Sequence, residues 1–214
     1  MVQTMQSRST PAHELGPVVP VIVIDDAARA VDLARALLAG GISCAEITLR
    51  TPAALASIEA MCEVPGFLVG AGTVRSAADV DDVVRAGGRF VVTPGVSTDV
   101  IARARDRGVT VVPGTSSATD LMTVLALGIH EVKLFPAAAL GGPSTISLMS
   151  APFPELRFMP SGGLTAENAR SYADLPSVFA VSGSWMSPRS LIDEGRFDEI
   201  TALSSQATEL LGAR

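Results

Sequence analysis

Eight short apolar segments recur along the 214 residues of this chain at a nearly constant spacing. Each segment is five to seven residues long and is followed by turn residues, and all but one contain β-branched residues. This pattern is typical of a strand that is buried on both faces. Successive segments end roughly 20 to 26 residues apart, which is enough for one strand, one helix and their turns. The predicted strands are 18–24, 44–49, 67–71, 89–93, 109–113, 131–135, 156–160 and 178–182.

The segments between the predicted strands are alanine-rich and amphipathic, which indicates helices. Several begin next to a residue that caps helices or favours their first turn, such as Asp25, Ser76 and Ser116. The predicted helices are 26–38, 52–61, 77–86, 98–107, 117–127, 166–173 and, at the end of the chain, 197–211.

Eight alternating strand and helix units in one chain most simply close into a parallel α/β structure, the (β/α)8 TIM barrel. The expected arrangement is a single barrel domain over residues 17–214, preceded by an N-terminal tail or short helix over residues 1–16. An open doubly wound sheet is the structural alternative. It is weakened because Ile24-Asp-Asp-Ala-Ala-Arg follows the first strand, where a dinucleotide-binding sheet has a GxGxxG turn.

Composition and charge exclude several classes of protein. The chain is 48% hydrophobic and has two cysteines, which excludes extensive disorder and a disulfide scaffold. Its net charge of −6 argues against binding nucleic acid through bulk phosphate neutralisation. No apolar run reaches the roughly 18 to 20 residues that span a bilayer, and the first residues lack the apolar stretch of a secretory signal. A cytoplasmic protein without nucleic-acid or membrane partners is therefore expected.

The cysteines and histidines give no sign of a metal or redox centre. Cys44 and Cys62 lack a CxxC spacing and have no nearby pair of histidines, which favours buried free thiols. The two histidines, His13 and His130, are too few and too far apart in the sequence for a metal cluster. No metal site is predicted.

Polar side chains interrupt the second predicted strand with a period of two. Because side chains alternate along a strand, Glu46, Thr48 and Arg50 share one face, and the apolar residues between them share the other. Charged side chains that faced the helices would be buried without partners, so this polar face is predicted to point into the barrel. A structural ion pair that only fills the interior is the alternative to a functional site.

The sixth predicted strand places Lys133 and Phe135 on its inward face by the same alternation. Lys133 is the only lysine in the chain, and all other basic residues are arginines. Burial disfavours the charged ammonium form, and a neutral amine is needed to attack a ketone and form a Schiff base. Lys133 is therefore the candidate nucleophile, with a lysine that pairs with Glu46 for stability alone as the alternative.

Glycine and serine follow the last two predicted strands, as Ser-Gly-Gly at 161–163 and Ser-Gly-Ser at 182–184. In a barrel these two loops are neighbours, and together they form the usual phosphate site of that fold. Backbone N–H groups would let an acidic protein hold a phosphorylated ligand without a basic cluster. Thr73 and Pro94, at the ends of the third and fourth strands, are expected at the same height.

Seven segments of the sequence resemble the 2-keto-3-deoxy-6-phosphogluconate (KDPG) aldolases, whose activity overlaps with that of the 4-hydroxy-2-oxoglutarate (KHG) aldolases. The resemblance covers residues from about Val18 to Met186. The segments that carry it are Pro20-Val-Ile-Val, Glu46-Ile-Thr-Leu-Arg-Thr51, Val69-Gly-Ala-Gly-Thr-Val74, Val92-Thr-Pro-Gly95, Val112-Pro-Gly-Thr115, Val132-Lys-Leu-Phe-Pro-Ala137 and Pro160-Ser-Gly-Gly163.

The resemblance implies a class I aldolase on a (β/α)8 barrel, usually a homotrimer, which acts on a small-molecule substrate without a metal or other cofactor. Lys133 corresponds to the Schiff-base lysine, and Glu46 to the general acid and base, which acts through a water. Arg50 and Thr73 correspond to the residues that hold the pyruvate carboxylate. The other expected site residues are Pro94, Phe135 and Ser161 around the keto acid, and Gly162, Gly163, Gly183 and Ser184 around the phosphate.

The implied reaction cleaves a 2-keto-4-hydroxy acid to pyruvate and an aldehyde, which is glyceraldehyde 3-phosphate from KDPG and glyoxylate from 4-hydroxy-2-oxoglutarate. Three positions depart from the family pattern. Ser161 stands in place of threonine, Ala138 in place of glutamate, and Ser182 in place of glycine. These departures leave open which sugar acid is preferred and whether it must be phosphorylated.

Two alternative functions are also compatible with the sequence. One is a phosphate-binding barrel that isomerises or couples sugar phosphates without a metal or a covalent intermediate. The other is a non-catalytic sensor of sugar acids with the same pocket. A Schiff base separates the aldolase from the first, and release of pyruvate separates it from the second.

Overall fold

The computed structural model describes residues 11–212, so residues 1–10 of the predicted N-terminal tail lie outside the described residues. Within this range each predicted strand is present, although most are shorter than expected. The fifth is divided at Pro113 into two strands. The strands are β1 (Val18–Ile22), β2 (Cys44–Thr48), β3 (Leu68–Gly72), β4 (Phe90–Val92), β5 (Thr110–Val112), β6 (Gly114–Thr115), β7 (Glu131–Leu134), β8 (Arg157–Pro160) and β9 (Val181–Gly183).

The strands form two parallel sheets. The larger sheet has the order β5-β4-β3-β2-β1-β9, and the smaller has the order β6-β7-β8. Every ladder between these strands is parallel. The register of β2 with β3 places Glu46 opposite Gly70 and Thr48 opposite Gly72. The expected α/β class with parallel strands is therefore confirmed.

Helices connect consecutive strands, as the alternating patterns predicted, except that Pro113 alone separates β5 from β6. They are α1 (Ala30–Ala39), α2 (Ala54–Cys62), α3 (Ala77–Arg85), α4 (Thr98–Asp106), α5 (Ala118–Ala126), α6 (Pro143–Ser150), α7 (Ala166–Ala173), α8 (Arg189–Glu194) and α9 (Phe197–Gly212). The sequence did not predict α6 or α8, because α6 buries only Ile146 and has no side-chain cap, and α8 has only six residues. Between residues 11 and 212, no helix is both long enough and apolar enough to cross a membrane.

Two of the predicted capping residues are displaced by one position. Ser76 accepts a hydrogen bond from a backbone N–H of the first turn of α3, as expected. Ser117, rather than Ser116, caps α5, and Asp26, rather than Asp25, caps the short 3-10 turn before α1. Adjacent residues with equally suitable side chains cannot be distinguished from the sequence, because the backbone conformation decides which of them reaches the free N–H groups.

Apolar side chains alternate between two cores on opposite sides of the strands. Outward residues such as Ile47 and Val132 pack with the helices in the larger core. Inward residues nearer the amino ends of the strands, such as Phe90 and Met159, form a smaller core between the sheets. The inward positions near the carboxyl ends are left to polar side chains, which is where the candidate residues lie.

A 3-10 turn at Ala12–Leu15 covers the amino-terminal end of the smaller core. Ala12 and Leu15 are buried against it. The Glu131 carboxylate, at the start of β7, accepts hydrogen bonds from the backbone N–H groups of Ala12 and His13 at 2.8 and 3.1 Å. The described part of the predicted tail is therefore a short helical turn that packs against the strands.

Candidate active site

All eleven residues that the sequence singled out for a site line one cavity at the carboxyl ends of the strands. The cavity has a volume of about 190 Å³. Residues from β2, β7 and β9, and from the segments that follow β2, β3, β4, β7, β8 and β9, converge on it. They are Lys133, Glu46, Arg50, Thr73, Pro94, Phe135, Ser161, Gly162, Gly163, Gly183 and Ser184.

A buried ion pair lies deep in this cavity. Lys133 Nζ is 3.1 Å from Glu46 Oε1 and 3.3 Å from Oε2. The two residues are 6% and 1% exposed, respectively, and charges this well buried are costly unless they are paired. Transfer of a proton from the ammonium group to the carboxylate would leave a neutral amine beside a carboxylic acid. That combination can attack a carbonyl carbon and then protonate the oxygen.

Gly72, at the end of β3, leaves the space that the Glu46 carboxyl group occupies. A Cβ atom on Gly72 would stand 2.0 Å from Glu46 Oε1 and 2.6 Å from its Cδ. The register that places Gly72 opposite Thr48 brings the two strands into this close approach. Any side chain at position 72 would push the carboxylate from its place beside Lys133.

The Phe135 ring forms one wall beside the amine. Its centroid lies 5.5 Å from Lys133 Nζ, within the range in which a cation and an aromatic face attract each other. A Cβ atom on Gly162 would stand 3.1 Å from the same ring. The ring therefore lies between the amine and the glycine loop after β8.

Arg50 brings a second positive charge to the cavity. Its side chain is exposed, and it takes part in none of the ion pairs between residues 11 and 212. Its Nε lies 3.4 Å from Thr48 Oγ1. Nearby, Thr73 has a φ of 59°, in the left-handed region that is strained for a β-branched residue. A guanidinium group without an acidic partner is suited to a carboxylate ligand.

The glycine loop after β8 forms part of the cavity rim. Gly162 and Gly163 have φ angles of 92° and 79°, which residues with side chains rarely adopt. Their carbonyl oxygens accept hydrogen bonds from Ala138 N at 3.1 Å and from Asn168 Nδ2 at 3.0 Å, respectively. A loop whose carbonyls are engaged in this way can present amide groups to the cavity, which suits an anion.

Gly183, the last residue of β9 before the following loop, packs against Trp185. A Cβ atom on Gly183 would stand 2.2 Å from Cζ3 of that ring. Trp185 lies outside the cavity, in a groove with Leu203 and Leu210 of α9. The single tryptophan of the chain therefore touches the backbone of this loop without entering the cavity.

Three further residues line the cavity although the sequence assigned them no role: Val21, Thr48 and Leu164. Strand alternation placed Thr48 on the inward face without giving it a role, and the same alternation along β1 could have found Val21. Leu164 lies in a loop after two glycines, where no periodic signal exists.

Neither cysteine competes with Lys133 as a nucleophile. Burial and, to a lesser extent, the negative charge of Glu46 raise the pKa of the Cys44 thiol to about 12. A thiol with this pKa is protonated and unreactive at neutral pH. Cys62 is only partly buried, and burial raises its pKa as well. Both cysteines are free, as predicted, but only Cys44 is fully buried.

A larger and more open cavity, of about 670 Å³, lies at the amino ends of the strands. Its lining includes His13, Arg105, His130, Glu131 and Arg157. The Glu131 carboxylate is engaged there by the N-terminal turn. This cavity lacks a buried amine beside a carboxylate, so the smaller cavity is the better candidate for chemistry.

Comparison with known proteins relates this site to characterised enzymes. Residues 12–203 match the family model described as KDPG and KHG aldolase. The 2-dehydro-3-deoxy-phosphogluconate aldolase of Pseudoalteromonas atlantica is 41% identical over 208 residues, which cover 97% of this chain and 97% of the relative.

Two solved structures are similar over nearly the whole chain. The 2-keto-3-deoxy-6-phosphogluconate aldolase of Zymomonas mobilis with 3-phosphoglycerate has a TM-score of 0.88 and 42% identity, and the match covers 92% of this chain and 93% of that one. The KDPG aldolase of Legionella pneumophila has a TM-score of 0.87 and 39% identity, with coverage of 90% and 94%. The latter structure contains pyruvate captured at low pH as a covalent carbinolamine intermediate.

Proposed function

Because the chain belongs to the KDPG and KHG aldolase family, we propose that it is a class I aldolase, a lyase that splits a 2-keto-4-hydroxy acid into pyruvate and an aldehyde. The substrate is a 2-keto-3-deoxy-6-phospho sugar acid, 4-hydroxy-2-oxoglutarate, or both. The observation that carries the proposal is the buried pair of Lys133 and Glu46, in a cavity that also receives the guanidinium of Arg50. The covalent pyruvate intermediate of the Legionella relative supports amine chemistry at this site.

The first half of the proposed reaction forms a Schiff base on Lys133. Glu46 accepts a proton from the ammonium group, and the resulting amine attacks the C2 ketone to give a carbinolamine. Protonation of the carbinolamine hydroxyl by Glu46, followed by loss of water, leaves a cationic iminium between C2 and Nζ. The nearby face of Phe135 stabilises this cation.

The second half breaks the carbon–carbon bond. Glu46, acting through a water, removes the proton of the C4 hydroxyl, the C3–C4 bond breaks, and its electrons move to the iminium to give an enamine. The aldehyde then leaves. Protonation of C3 and addition of water to the renewed iminium release pyruvate and regenerate Lys133.

The polar rim orients the keto acid for this chemistry. Arg50 offers two parallel N–H donors to the substrate carboxylate, and Thr73 completes its binding. Pro94, Phe135 and Ser161 bound the space around the ketone. The lack of an acidic partner for Arg50 among residues 11–212 supports this assignment, because a carboxylate ligand would supply the missing negative charge.

The phosphate of a phosphorylated substrate binds to backbone N–H groups of the last two loops. The residues are Gly162, Gly163, Gly183 and Ser184, which line the cavity. The left-handed φ angles of Gly162 and Gly163 and the engagement of their carbonyls support this role. This position is also the usual phosphate site of such folds.

We further infer that the two sheets close into a complete (β/α)8 barrel that forms a single domain from residue 17 onward. Two isolated parallel bridges, between Phe158 and Val178 and between Ser161 and Ser182, link β8 to β9 and the segment before it on one side, which supports closure. On the other side only Pro113 separates β5 from β6, and its carbonyl accepts a hydrogen bond from Lys133 N at 2.9 Å.

A homotrimer in the cytoplasm is the expected state of this enzyme. Met122 and Leu148 are 64% and 76% exposed. Apolar side chains left in water at this level are candidates for coverage by neighbouring subunits. Light scattering coupled to size-exclusion chromatography should give three times the mass of one chain, and a monomer would contradict the assignment.

Borohydride reduction in the presence of pyruvate tests the proposed function. The wild-type protein should gain a reduced pyruvate adduct on Lys133 and lose activity, because the iminium is trapped as a stable amine. Lys133 is the only lysine, so mass spectrometry can assign the adduct without competition from other lysine side chains. Lys133→Arg, which keeps the positive charge, is the control and should form no adduct.

The same measurements separate the alternatives. A chelator should leave activity intact because the iminium acts as the electron sink, so loss of activity with chelator and no adduct would favour chemistry without a Schiff base. Pyruvate release is then compared between a phosphorylated sugar acid and 4-hydroxy-2-oxoglutarate. An absence of release from both would leave the non-catalytic sensor as the function.

A further inference from the structure

We propose that Thr48 is a positioning residue, whose hydroxyl group fixes the direction in which the Arg50 guanidinium approaches the substrate carboxylate. Thr48 is 2% exposed and lines the cavity, whereas the Arg50 side chain is exposed. A buried hydroxyl group therefore contacts a long and exposed side chain. The inference rests on the proposed function, because it requires that Arg50 binds a carboxylate.

The hydroxyl group of Thr48 has a defined orientation. Its Oγ1 donates a hydrogen bond to the carbonyl oxygen of Ile22, at the end of β1, at 2.8 Å. A hydroxyl has a single hydrogen to donate, so its lone pairs are left to accept. Arg50 Nε lies 3.4 Å away and donates to Oγ1. The carbonyl of β1 thus fixes the hydroxyl, and the hydroxyl in turn fixes the guanidinium.

The backbone that carries Arg50 is also held in place. Arg50 N donates a hydrogen bond to the carbonyl oxygen of Thr48 at 2.7 Å, which closes a tight turn. On the other side of Arg50, the Thr51 hydroxyl donates to the carbonyl oxygen of Ile24. The remaining freedom of Arg50 lies in its side chain, and the Thr48 contact restricts that side chain at its charged end.

This contact affects how Arg50 binds a carboxylate. With Nε directed to Thr48, the edge formed by the two terminal nitrogens remains for a carboxylate with two parallel hydrogen bonds. Without the contact the guanidinium can turn away, and binding must first restore its direction. The Schiff-base chemistry at Lys133 does not require this contact, so its loss should affect binding of the keto acid more than turnover.

Two substitutions separate the hydroxyl group from the shape of Thr48. Thr48→Val keeps the β-branched shape and removes the hydroxyl, while Thr48→Ser keeps the hydroxyl. We expect Thr48→Val to raise KM for pyruvate in the aldol direction by about tenfold, the scale of one hydrogen bond to a charged group, with kcat changed by less than about twofold. Thr48→Ser should remain close to wild type. Thr48→Ala, which adds no apolar bulk, replaces Thr48→Val if the latter does not fold.

A double-mutant cycle with Arg50→Gln distinguishes failure of the inference from failure of the proposed function. Once the guanidinium is gone, Thr48→Val should raise KM for pyruvate by no more than about twofold. If Arg50→Gln leaves pyruvate affinity at the wild-type value, the proposed role of Arg50 is wrong. If Arg50→Gln weakens binding but Thr48→Val does not, or acts equally in both backgrounds, only the positioning role of Thr48 is overturned.

Discussion

Replacement of Gly72 with alanine would displace the proposed general acid and base without changing any charged group. Gly72 ends β3 and is not among the glycines with left-handed φ, so alanine can adopt its backbone conformation. The new Cβ atom would nevertheless stand 2.0 Å from Glu46 Oε1. We therefore expect Gly72→Ala to fold and to lose most of its aldolase activity.

The size of the loss follows from the distance that the carboxylate must move. An ordinary contact is about 3.4 Å, so Oε1 must retreat by roughly 1.4 Å or the side chain must change rotamer. A misplacement of about 1 Å in a catalytic group costs on the order of 10² in rate. We expect kcat to fall by about 10² and the free energy of unfolding to fall by about 1–3 kcal/mol through overpacking.

Pyruvate release gives kcat, and chemical denaturation of the same sample gives the free energy of unfolding. Gly95→Ala is the matched control, since no atom lies within 4 Å of the position its Cβ would take, and it should retain wild-type kcat. The substitution is also tested in a Glu46→Gln background. Glutamine keeps the shape of the side chain, so Gly72→Ala should still lower stability there but should not lower kcat further.

Two results would refute this reasoning. A folded Gly72→Ala protein with wild-type kcat would mean that the carboxylate position does not limit the reaction. An equal loss of kcat in the wild-type and Glu46→Gln backgrounds would mean that the effect does not act through Glu46.

Three further predictions concern other parts of the molecule. Thr73→Gly removes the strain of a φ of 59°, so denaturation should show a free energy of unfolding higher by about 1 kcal/mol. KM for pyruvate should rise, because Thr73 is proposed to help bind the carboxylate. A fall in the free energy of unfolding would contradict the strain. Burial raises the pKa of the Cys44 thiol to about 12, so on raising the pH the thiol ionises in the unfolded chain before it ionises in the folded protein. The contribution of this thiol to the free energy of unfolding is therefore present below about pH 9 and is lost as the pH rises toward 12. In denaturation experiments, the free energy of unfolding of Cys44→Val should fall less over that range than that of the wild type. Gly183→Ala would place a Cβ atom 2.2 Å from the Trp185 ring, so Trp185 emission should change and kcat/KM should fall more for a phosphorylated sugar acid than for 4-hydroxy-2-oxoglutarate. Equal losses for the two substrates would remove this loop from the phosphate site.

The sequence alone was sufficient to predict that the polar and aromatic side chains on and just after β2 and β7 face the cavity. The alternation along β2 placed Glu46, Thr48 and Arg50 on one face, and the alternation along β7 placed Lys133 and Phe135 inward. All five line the cavity. This prediction needs only the geometry of a single strand, in which neighbouring side chains must point to opposite sides. The repeated strand and helix patterns likewise predicted the parallel α/β class from local signals.

Only the tertiary structure decided which of these inward residues meet. Glu46 and Lys133 are separated by 87 residues in the sequence, and no local pattern specifies a distance of 3.1 Å between their charged groups. The contact of Glu46 with Gly72 and that of Glu131 with the N-terminal turn were equally invisible in the sequence. Alternation is enforced by the covalent geometry of each strand, whereas contacts between distant strands depend on the register and twist that packing of the whole chain selects.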